Sequence, residues 1–362
     1  FISRFIFLDV RAIHHDESLH GYYSWLLSNG YGYSHNPLMH GPLNFHLNAL
    51  SFLIFGDNDF TLRLAPALTG TLLVFTPFLF KDLIGKRVAI IISIFLLISP
   101  LLIYYSRFAR NDIFIALVSV LLVNQIFNYV LNKSNNSKLI IISILLGLIF
   151  CIKEISFITI FIFGSFSLFF SNFNPLIKNK TRLNKNFTDR FLILFLLSFP
   201  LSVPICSFIF DIININIVAP AGSIYQIGMP VGNIATYISI SISLVSLLIS
   251  FTFGLLKFKK YWLIYFSIFW AIFIIFHSTF LTNPYGILTG YWQSLGYWIA
   301  QQDVARGGQP WYYYFLVIFK FELIAFISFF IFIFYRKFKF SIFELFLVYW
   351  SFLNLFIYFL TF

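Results

Sequence analysis

The chain has 362 residues, of which 60% are hydrophobic and 10% are charged, and its formal net charge is +11. About a quarter of the residues in a soluble domain are charged, so this composition argues against a soluble globular protein and predicts an integral membrane protein. The basic residues are scattered over separate short stretches, which argues against a nucleic-acid-binding surface. Cys151 and Cys206 both lie in apolar runs and predict neither a disulfide nor a metal pair.

The apolar stretches predict an all-α bundle of about eleven spans, since a helix needs about 20 apolar residues to cross a bilayer. We treat residues 1–362 as a single domain. The chain starts and stops inside apolar stretches, without an initiating Met or a charged leader, so we expect a fragment with sequence missing at both ends. The predicted spans are 1–8 (the end of one helix), 61–80, 88–105, 113–131, 138–152, 155–171, 191–210, 234–256, 261–281, 311–334 and 341–361.

Charge alternates between successive connections. Five connections are basic, and the others hold most of the acidic residues; by the positive-inside rule the basic set is cytoplasmic and the acidic set lies outside. The basic connections contain Lys81, Lys86 and Arg87; Lys133 and Lys138; Lys178, Lys180, Arg182, Lys185 and Arg190; Lys257, Lys259 and Lys260; and Arg336, Lys337 and Lys339. The net positive charge is therefore mainly an orientation signal.

Two long outer connections, residues 9–60 and 282–310, are where a function is expected, because long ordered loops in membrane proteins are usually functional. In the first, residues 16–27 place apolar side chains at helical spacing after an acidic start, and residues 44–55 repeat the pattern after the turn at 40–42. Both segments are predicted as amphipathic helices that lie in the membrane interface and roof a cavity.

Five motifs in chain order carry a resemblance to a known family. They are His14-His15-Asp16-Glu17; Gly56 to Leu68 (GDNDFTLRLAPAL); Tyr104 to Asp112 (YYSRFARND); Lys153-Glu154; and Arg306 to Tyr314 (RGGQPWYYY). The chain resembles the protein O-mannosyltransferase and aminoarabinose-transferase group of the GT-C glycosyltransferase superfamily, and the last motif narrows the resemblance to the prokaryotic branch named flippase activity-associated protein. The resemblance implies a GT-C fold in the inner membrane of a prokaryote, with a site facing outside. It also implies a polyprenyl-phosphate-linked sugar as donor and a glycan, lipid or protein as acceptor.

Transfer of a sugar from a lipid phosphate needs a base for the acceptor proton and cations for the departing phosphate. We expect Asp16 to be the base, with Glu17 about 100° further round the helix as its catalytic neighbour. Arg107 and Arg110, at i, i+3, are predicted to share one helical face and grip the phosphate together with Lys153 and Arg306. The residues predicted to orient groups or bind the acceptor are Asp112, Glu154, His15, His40, Trp292 and Gln309.

Several structural alternatives stay open at this stage. Asp16 is also a good helix cap, the arginines also suit an interface where side chains snorkel, and Lys153 and Glu154 also suit mutual neutralisation. Arg63 is expected to pair with Asp57 or Asp59.

No cofactor is predicted firmly. Six histidines in the first outer connection leave a divalent metal open, although no recognised ligand spacing is present. The competing functions are a flippase-associated or transporter-like protein that handles the same lipid without catalysis, and a non-catalytic scaffold. A transporter predicts broken helices with charged residues inside the membrane.

Overall fold

The structure is a computed structural model that describes residues 1–131, 136–172, 183–302, 304, 310, 312–335 and 340–360. Over these ranges the chain is helical and contains no β-strand, which confirms the predicted all-α class. Turns of 3-10 helix at Thr76–Phe80 and Phe199–Cys206 prolong α5 and α12. The α-helices are α1 (Ile2–Phe5), α2 (His15–Ser28), α3 (Leu43–Phe55), α4 (Asp59–Leu62), α5 (Leu64–Phe75), α6 (Lys81–Ile84), α7 (Lys86–Ile98), α8 (Pro100–Ser106), α9 (Asp112–Leu131), α10 (Asn136–Phe150), α11 (Ile155–Asn172), α12 (Leu183–Ser198), α13 (Ser207–Phe210), α14 (Gly232–Phe258), α15 (Tyr261–His277), α16 (Tyr285–Leu288), α17 (Ser294–Ala300), α18 (Tyr313–Phe321), α19 (Leu323–Tyr335) and α20 (Ile342–Leu360).

Several helices are long and apolar enough to cross a bilayer. Within the described residues, three continuous helical stretches meet the requirements of length and apolarity, and they are Leu64–Ile84, Phe191–Ile213 and Gly232–Phe258. Two bent pairs raise the number to five if each pair is one span, and six further helices have fully described apolar stretches of 10–17 residues, namely 43–55, 112–128, 137–150, 155–169, 261–277 and 342–357. The predicted segment 1–8 contains only the short helix α1. Several apolar spans are therefore present, and the number of about eleven stays a prediction.

The predicted segments 88–105 and 311–334 are not straight helices. The first is bent by 64° between α7 and α8, and the second by 100° between α18 and α19. Pro100 causes the first bend because it has no N–H to continue the helical ladder, and Ser99 caps the new helix with a hydrogen bond from its N-terminal turn.

Charged side chains from distant segments form hydrogen bonds with the groups at the break between α7 and α8. Glu322, at the bend of the other pair, accepts a hydrogen bond from the Ser99 hydroxyl at 2.5 Å and one from the Leu101 N–H at 3.1 Å. Arg4, which is buried, donates to two carbonyls in the last turn of α7 at 2.5 and 2.8 Å. Backbone groups that would be exposed in lipid are thereby satisfied.

The main core lies between α9, α10, α11, α12, α15 and α20. Aromatic rings fill much of it: Phe127 lies 5.1 Å from Phe346, and Phe150 lies 6.0 Å from Phe269. Ring pairs at these distances add to the stabilisation that comes from apolar burial alone. The abundance of phenylalanine in the sequence therefore has a packing role.

Large apolar side chains also cover the outside of the bundle. On α14 alone, Leu244, Leu248 and Leu256 are more than half exposed. A water-soluble monomer does not expose apolar surface of this extent, so these side chains face lipid. The chain is an integral membrane protein.

Two of the basic connections lie close together, and a third lies at the opposite end of the bundle from the first acidic connection. Phe80, beside Lys81, stacks on Phe343 at 5.4 Å, and Phe343 follows the basic stretch 336–339 in the sequence. The helix α15 begins after Lys260 and ends at His277, whose ring lies 4.8 Å from that of His35 in the first acidic connection. A helix of 17 residues is about 25 Å long, so Lys260 and His35 lie at opposite ends of the bundle.

The first outer connection forms the two predicted helices, α2 and α3, joined through a turn at His40 and Gly41. The N–H groups of Gly41 and Leu43 donate to the carbonyls of Ile152 and Cys151 at 3.1 and 2.9 Å, which fastens this turn to the end of α10. A Cβ at Gly41 would lie 2.3 Å from the Cys151 carbonyl oxygen, so only glycine fits there. The exposed face of α3 is apolar, and its buried face carries Asn44 and Asn48.

We predict that His15 and Lys259 react from opposite faces of the membrane, because the charge alternation and the length of α15 place them at opposite ends. Single-cysteine variants His15→Cys and Lys259→Cys, in a Cys206→Ser background, would be labelled with a membrane-impermeant maleimide in intact cells and after permeabilisation. His15→Cys should be labelled in intact cells and Lys259→Cys only after permeabilisation. Labelling of Lys259→Cys alone in intact cells would reverse the orientation.

Candidate active site

A buried carboxylate holds the first outer connection to the membrane helices. Glu17 has no exposed surface, and its oxygens accept hydrogen bonds from Arg63 at 2.9 and 3.0 Å and from Arg11 at 2.7 Å. The backbone N–H groups of His14 and Ala109 add two more, both at 3.1 Å. Burial alone would raise the pKa of Glu17, but the hydrogen bonds and the charge of Arg63 outweigh it, and the pKa is lowered.

This arrangement argues against the catalytic role predicted for Glu17. With both oxygens enclosed by donors and no exposed surface, the carboxylate has no access to a substrate. Its partner Arg63 is equally buried and also donates to the carbonyls of Leu8, Arg11 and Ala12. Arg63 thus pairs with Glu17 and not with Asp57 or Asp59 as expected; Asp57 instead accepts the indole N–H of Trp25 at 2.7 Å. Glu17 positions the start of α2.

Asp16, which precedes Glu17 on α2, points away from the Glu17 site, and its carboxylate stays accessible. Its carboxylate is 34% exposed and forms an ion pair with Arg110 at 2.9 Å. The backbone N–H of Asp16 donates to the His14 ring, so its neighbour His14, and not Asp16, is the cap of α2. The side chain of Asp16 is therefore free of a capping role.

Two further ion pairs lie beside this one. Asp112 accepts a hydrogen bond from Lys153 at 2.9 Å and lies 3.8 Å from Arg110. Glu154 is buried and pairs with the His40 ring at 2.6 Å. Lys153 and Glu154 therefore bind separate partners and do not neutralise each other. Asp112 contacts both Lys153 and Arg110 and so joins their ion pairs into one partly exposed group of charges. We call this group the outer charge cluster (Asp16, Arg110, Asp112 and Lys153).

The predicted pairing of Arg107 with Arg110 on one helical face is wrong. The helix α8 ends at Ser106, and residues 107–111 form an irregular turn before α9. Arg107 instead donates to the carbonyls of Ile6 and Phe7, both at 2.7 Å. Only Arg110 of the two lies in the outer charge cluster.

The remaining predicted site residues are dispersed. His15 is exposed at the start of α2, and no contact of its ring with the cluster is present. Trp292 is buried, and its indole N–H donates to the Ile217 carbonyl at 3.2 Å, so it does not offer a stacking face to a sugar. Arg306 and Gln309 lie outside the described residues.

No group of three or more His, Cys, Asp or Glu side chains that could hold a metal ion is present within the described residues. The histidines of the first outer connection have separate surroundings. His20 stacks on Phe45 at 4.9 Å, His35 contacts the Thr289 hydroxyl at 2.8 Å, and His46 contacts the Pro42 carbonyl at 2.8 Å. They do not converge on one point.

Sequence reasoning missed Arg11 and the true partner of Arg63. A charged residue at the entrance of an apolar helix requires a partner, and this signal identified Arg63 as paired. It could not identify Glu17, which is 46 positions away, because helical spacing relates only close neighbours. Arg11 had no such signal, since it lies within the connection 9–60 and not at the entrance of a predicted span.

The fold and the site together define a polytopic membrane protein with a partly exposed charge cluster at the ends of its apolar helices. A family model, described as dolichyl-phosphate-mannose-protein mannosyltransferase, matches residues 39–203 and supports the resemblance to protein O-mannosyltransferases. The matched segment is a little under half of the chain. It contains His40, Arg110, Asp112, Lys153 and Glu154, whereas Asp16 lies before it.

Two solved structures of ArnT from Cupriavidus metallidurans are similar to this chain, one bound to undecaprenyl phosphate and one in the apo state. Both are 17% identical in sequence and cover 84% of this chain, with TM-scores of 0.44 and 0.43. The chain covers 59% and 58% of those two structures, so it spans less than two thirds of their length. No curated protein is significantly similar to the chain in sequence.

We predict that Glu17→Gln destabilises the protein by about 3–5 kcal/mol, because it leaves Arg63 buried without its counter-charge. The neighbouring Asp16→Asn is the matched control, since it makes the same chemical change at a partly exposed position and should leave the unfolding free energy nearly unchanged. Unfolding in mixed detergent micelles, followed by circular dichroism, would measure both variants. Equal stability of Glu17→Gln and the parent would contradict the anchoring role.

Proposed function

We propose that this protein is a membrane glycosyltransferase that transfers a sugar from a polyprenyl-phosphate donor to an acceptor on the outer face of the membrane. The observation that carries the proposal is the accessible Asp16 carboxylate, held by Arg110 in the outer charge cluster. The matched family is named for a polyprenyl-phosphate sugar donor, dolichyl-phosphate-mannose, which supports this class of donor.

In the proposed step, the acceptor hydroxyl attacks the anomeric carbon of the sugar while Asp16 takes its proton. The bond between that carbon and the phosphate oxygen breaks, and the departing polyprenyl phosphate keeps the electron pair. A single displacement of this kind inverts the anomeric configuration. Asp16 suits the role of base because it is partly exposed and is not the cap of α2; its carboxylate lies 2.9 Å from Arg110 and 3.9 Å from the His14 ring.

Arg110 and Lys153 are proposed to hold the departing phosphate. Each is bound to a carboxylate at 2.9 Å and keeps a partly exposed side chain, so incoming phosphate oxygens can compete with Asp16 and Asp112 for them. Cations placed where negative charge develops are a large source of catalysis. Arg107 lies outside this cluster, so we do not include it in the donor site.

His40 and Glu154 are proposed to orient the acceptor or the sugar from the other side of Lys153. Their hydrogen bond at 2.6 Å fixes the His40 ring, and the His40 backbone has a positive φ of 64° that presents this ring beside Glu154. Arg306 and Gln309 stay candidates on the sequence alone. The sugar and the acceptor are not specified by these residues.

The transporter alternative has one observation in its favour. It predicts broken apolar helices with charged groups, and two bent helix pairs meet through Glu322, with Arg4 beside one of the breaks. The two functions make different predictions for radiolabelled polyprenyl-phosphate sugar in vesicles that contain the purified protein. A transferase moves label from the lipid to an acceptor, whereas a transporter moves intact labelled lipid between leaflets.

We predict that Asp16→Asn lowers the transfer rate by about a hundred- to ten-thousand-fold, the usual contribution of a general base. Folding and donor binding should be retained, because the Asp16 side chain is partly exposed and not a helix cap. Glu322→Gln is the comparison, and a loss of lipid movement in this variant with normal transfer by Asp16→Asn would favour transport. Near-normal transfer by Asp16→Asn alone would already remove this residue from the mechanism.

We predict that Arg110→Lys weakens donor binding by about ten- to a hundred-fold, because lysine lacks the planar fork that binds two phosphate oxygens at once. Arg107→Lys is the matched control and should leave donor affinity unchanged. Titration of a polyprenyl-phosphate sugar in detergent, followed by quenching of tryptophan fluorescence, would measure both. A weaker affinity in Arg107→Lys and a normal one in Arg110→Lys would move the donor phosphate to the other arginine.

A further inference from the structure

A cavity of about 450 Å³ lies beside the start of α2 and is separate from the outer charge cluster. Its volume is within the range of sites for small molecules. The lining of the cavity does not include Asp16, Arg110 or Lys153. The lining residues are Leu8, Arg11, Ile98, Pro100, Ile103, Tyr104 and Arg107.

The polar part of the lining is cationic. Arg11 and Arg63 both form an ion pair with Glu17, whereas Arg107 donates only to backbone carbonyls among the described residues. These three arginines and one glutamate therefore carry a combined charge of about +2 at neutral pH. The pKa of Arg107 is lowered by burial and by the charges of Arg11 and Arg63, which is the effect expected where like charges crowd together.

The guanidinium N–H groups of Arg11 and Arg107 are held in place in the cavity, and some of them have no hydrogen-bond partner among the described residues. The guanidinium of Arg11 lies 5.4 Å from the Tyr104 ring and 5.1 Å from the Phe108 ring, which fixes its plane. Its two protein hydrogen bonds both come from Nη2, so Nη1 and Nε have no partner among the described residues. Arg107 likewise uses Nη1 and Nη2 and leaves Nε. An anion between the two arginines would find several unused N–H donors.

The rest of the lining is apolar and continues into the lipid-facing side of α7. Ile98, in the cavity wall, is itself about half exposed, and so is Ile94 one turn earlier. An inorganic anion would make no use of this wall. A molecule with an anionic head and an acyl chain would place the head between the arginines and keep the chain in the bilayer.

We propose that this cavity binds the phosphate headgroup of an anionic glycerophospholipid from the surrounding membrane. The excess positive charge favours an anionic headgroup over a zwitterionic one, whose own cation would be repelled. Bound lipid would neutralise the like charges of Arg11 and Arg107, and through Arg11 and Glu17 it would stabilise the start of α2. The site is independent of the proposed transfer reaction.

The test titrates the detergent-purified protein with dioctanoyl phosphatidylglycerol and counts bound lipid by native mass spectrometry, with thermal stability as a second readout. We expect one tightly bound lipid and a raised melting temperature. Dioctanoyl phosphatidylcholine should bind at least about ten-fold more weakly, as expected when a charge-assisted contact is lost. Inorganic phosphate and undecaprenyl phosphate are the competing ligands.

Two variants and a control locate the site. Arg107→Gln removes one cation, and Ile103→Trp fills the cavity without any change of charge; each should weaken phosphatidylglycerol binding by about ten- to a hundred-fold. Arg87→Gln, an exposed arginine at the other end of α7, should bind as the parent does. If Arg107→Gln does not fold because its contacts to the N-terminal segment are lost, Ile103→Trp decides alone.

Unchanged phosphatidylglycerol binding by Ile103→Trp would overturn the proposal. Displacement of phosphatidylglycerol by an equal concentration of inorganic phosphate would overturn a lipid as the occupant. Preferential binding of undecaprenyl phosphate, lost in Ile103→Trp, would show that the cavity holds a polyprenyl carrier and not a membrane phospholipid. Because transfer activity is measured separately with Asp16→Asn, none of these results depends on the proposed reaction.

Discussion

The hydrogen bonds and ion pairs of the Glu17 carboxylate are the interactions on which the half of the structure that contains α2 and α3 depends. A carboxylate without exposed surface is stable only when its charge and its lone pairs are satisfied, and Glu17 meets this condition with two arginines and two backbone N–H groups. These donors come from the segment before α2, from the start of α5 and from the turn before α9. The three segments are therefore fixed relative to one another. Asp16 is adjacent on the same helix, about 100° away, so its direction towards Arg110 follows from the position of Glu17.

The same requirement, that polar groups in an apolar surrounding be satisfied, explains the bends in the membrane helices. Pro100 interrupts one helix, and the freed backbone groups on the two sides of the break are bound by Arg4 and Glu322. Glu322 itself lies where the second helix pair bends by 100°. One side chain thus links two broken helices. In a bilayer these groups have no water to replace their protein partners, so the two bends stabilise each other.

The sequence predicted the local elements well and their partners poorly. The bounds of α2 and α3 and the turn between them followed from an acidic start, apolar spacing and Gly41, all of which act over a few residues. The pairs of Arg63 with Glu17 and of His40 with Glu154 join residues 46 and 114 positions apart, which no spacing rule relates. Arg107 and Arg110 were predicted on one helical face, but the Ala109 N–H donates to Glu17 and the Arg107 side chain binds the N-terminal segment, so long-range bonds end the helix there. The bend at Pro100 was missed for a related reason, because it depends on caps supplied from distant residues.

The two sets of cations differ in their charge balance, and this difference bears on what each can do. In the outer charge cluster, Arg110 and Lys153 are matched by Asp16 and Asp112, whereas within the part of the chain that the structure describes Glu17 is the only carboxylate that pairs with any of Arg11, Arg63 and Arg107. In the proposed reaction a donor with one negative charge becomes a phosphate monoester with up to two, so the product is held more strongly than the donor by any fixed cation. Asp112, and Asp16 once it has released the acceptor proton, compete with this product for Lys153 and Arg110 and favour its release. A cavity with uncompensated arginines lacks such competitors, and it therefore suits a lipid that stays bound better than a carrier that must leave after each transfer.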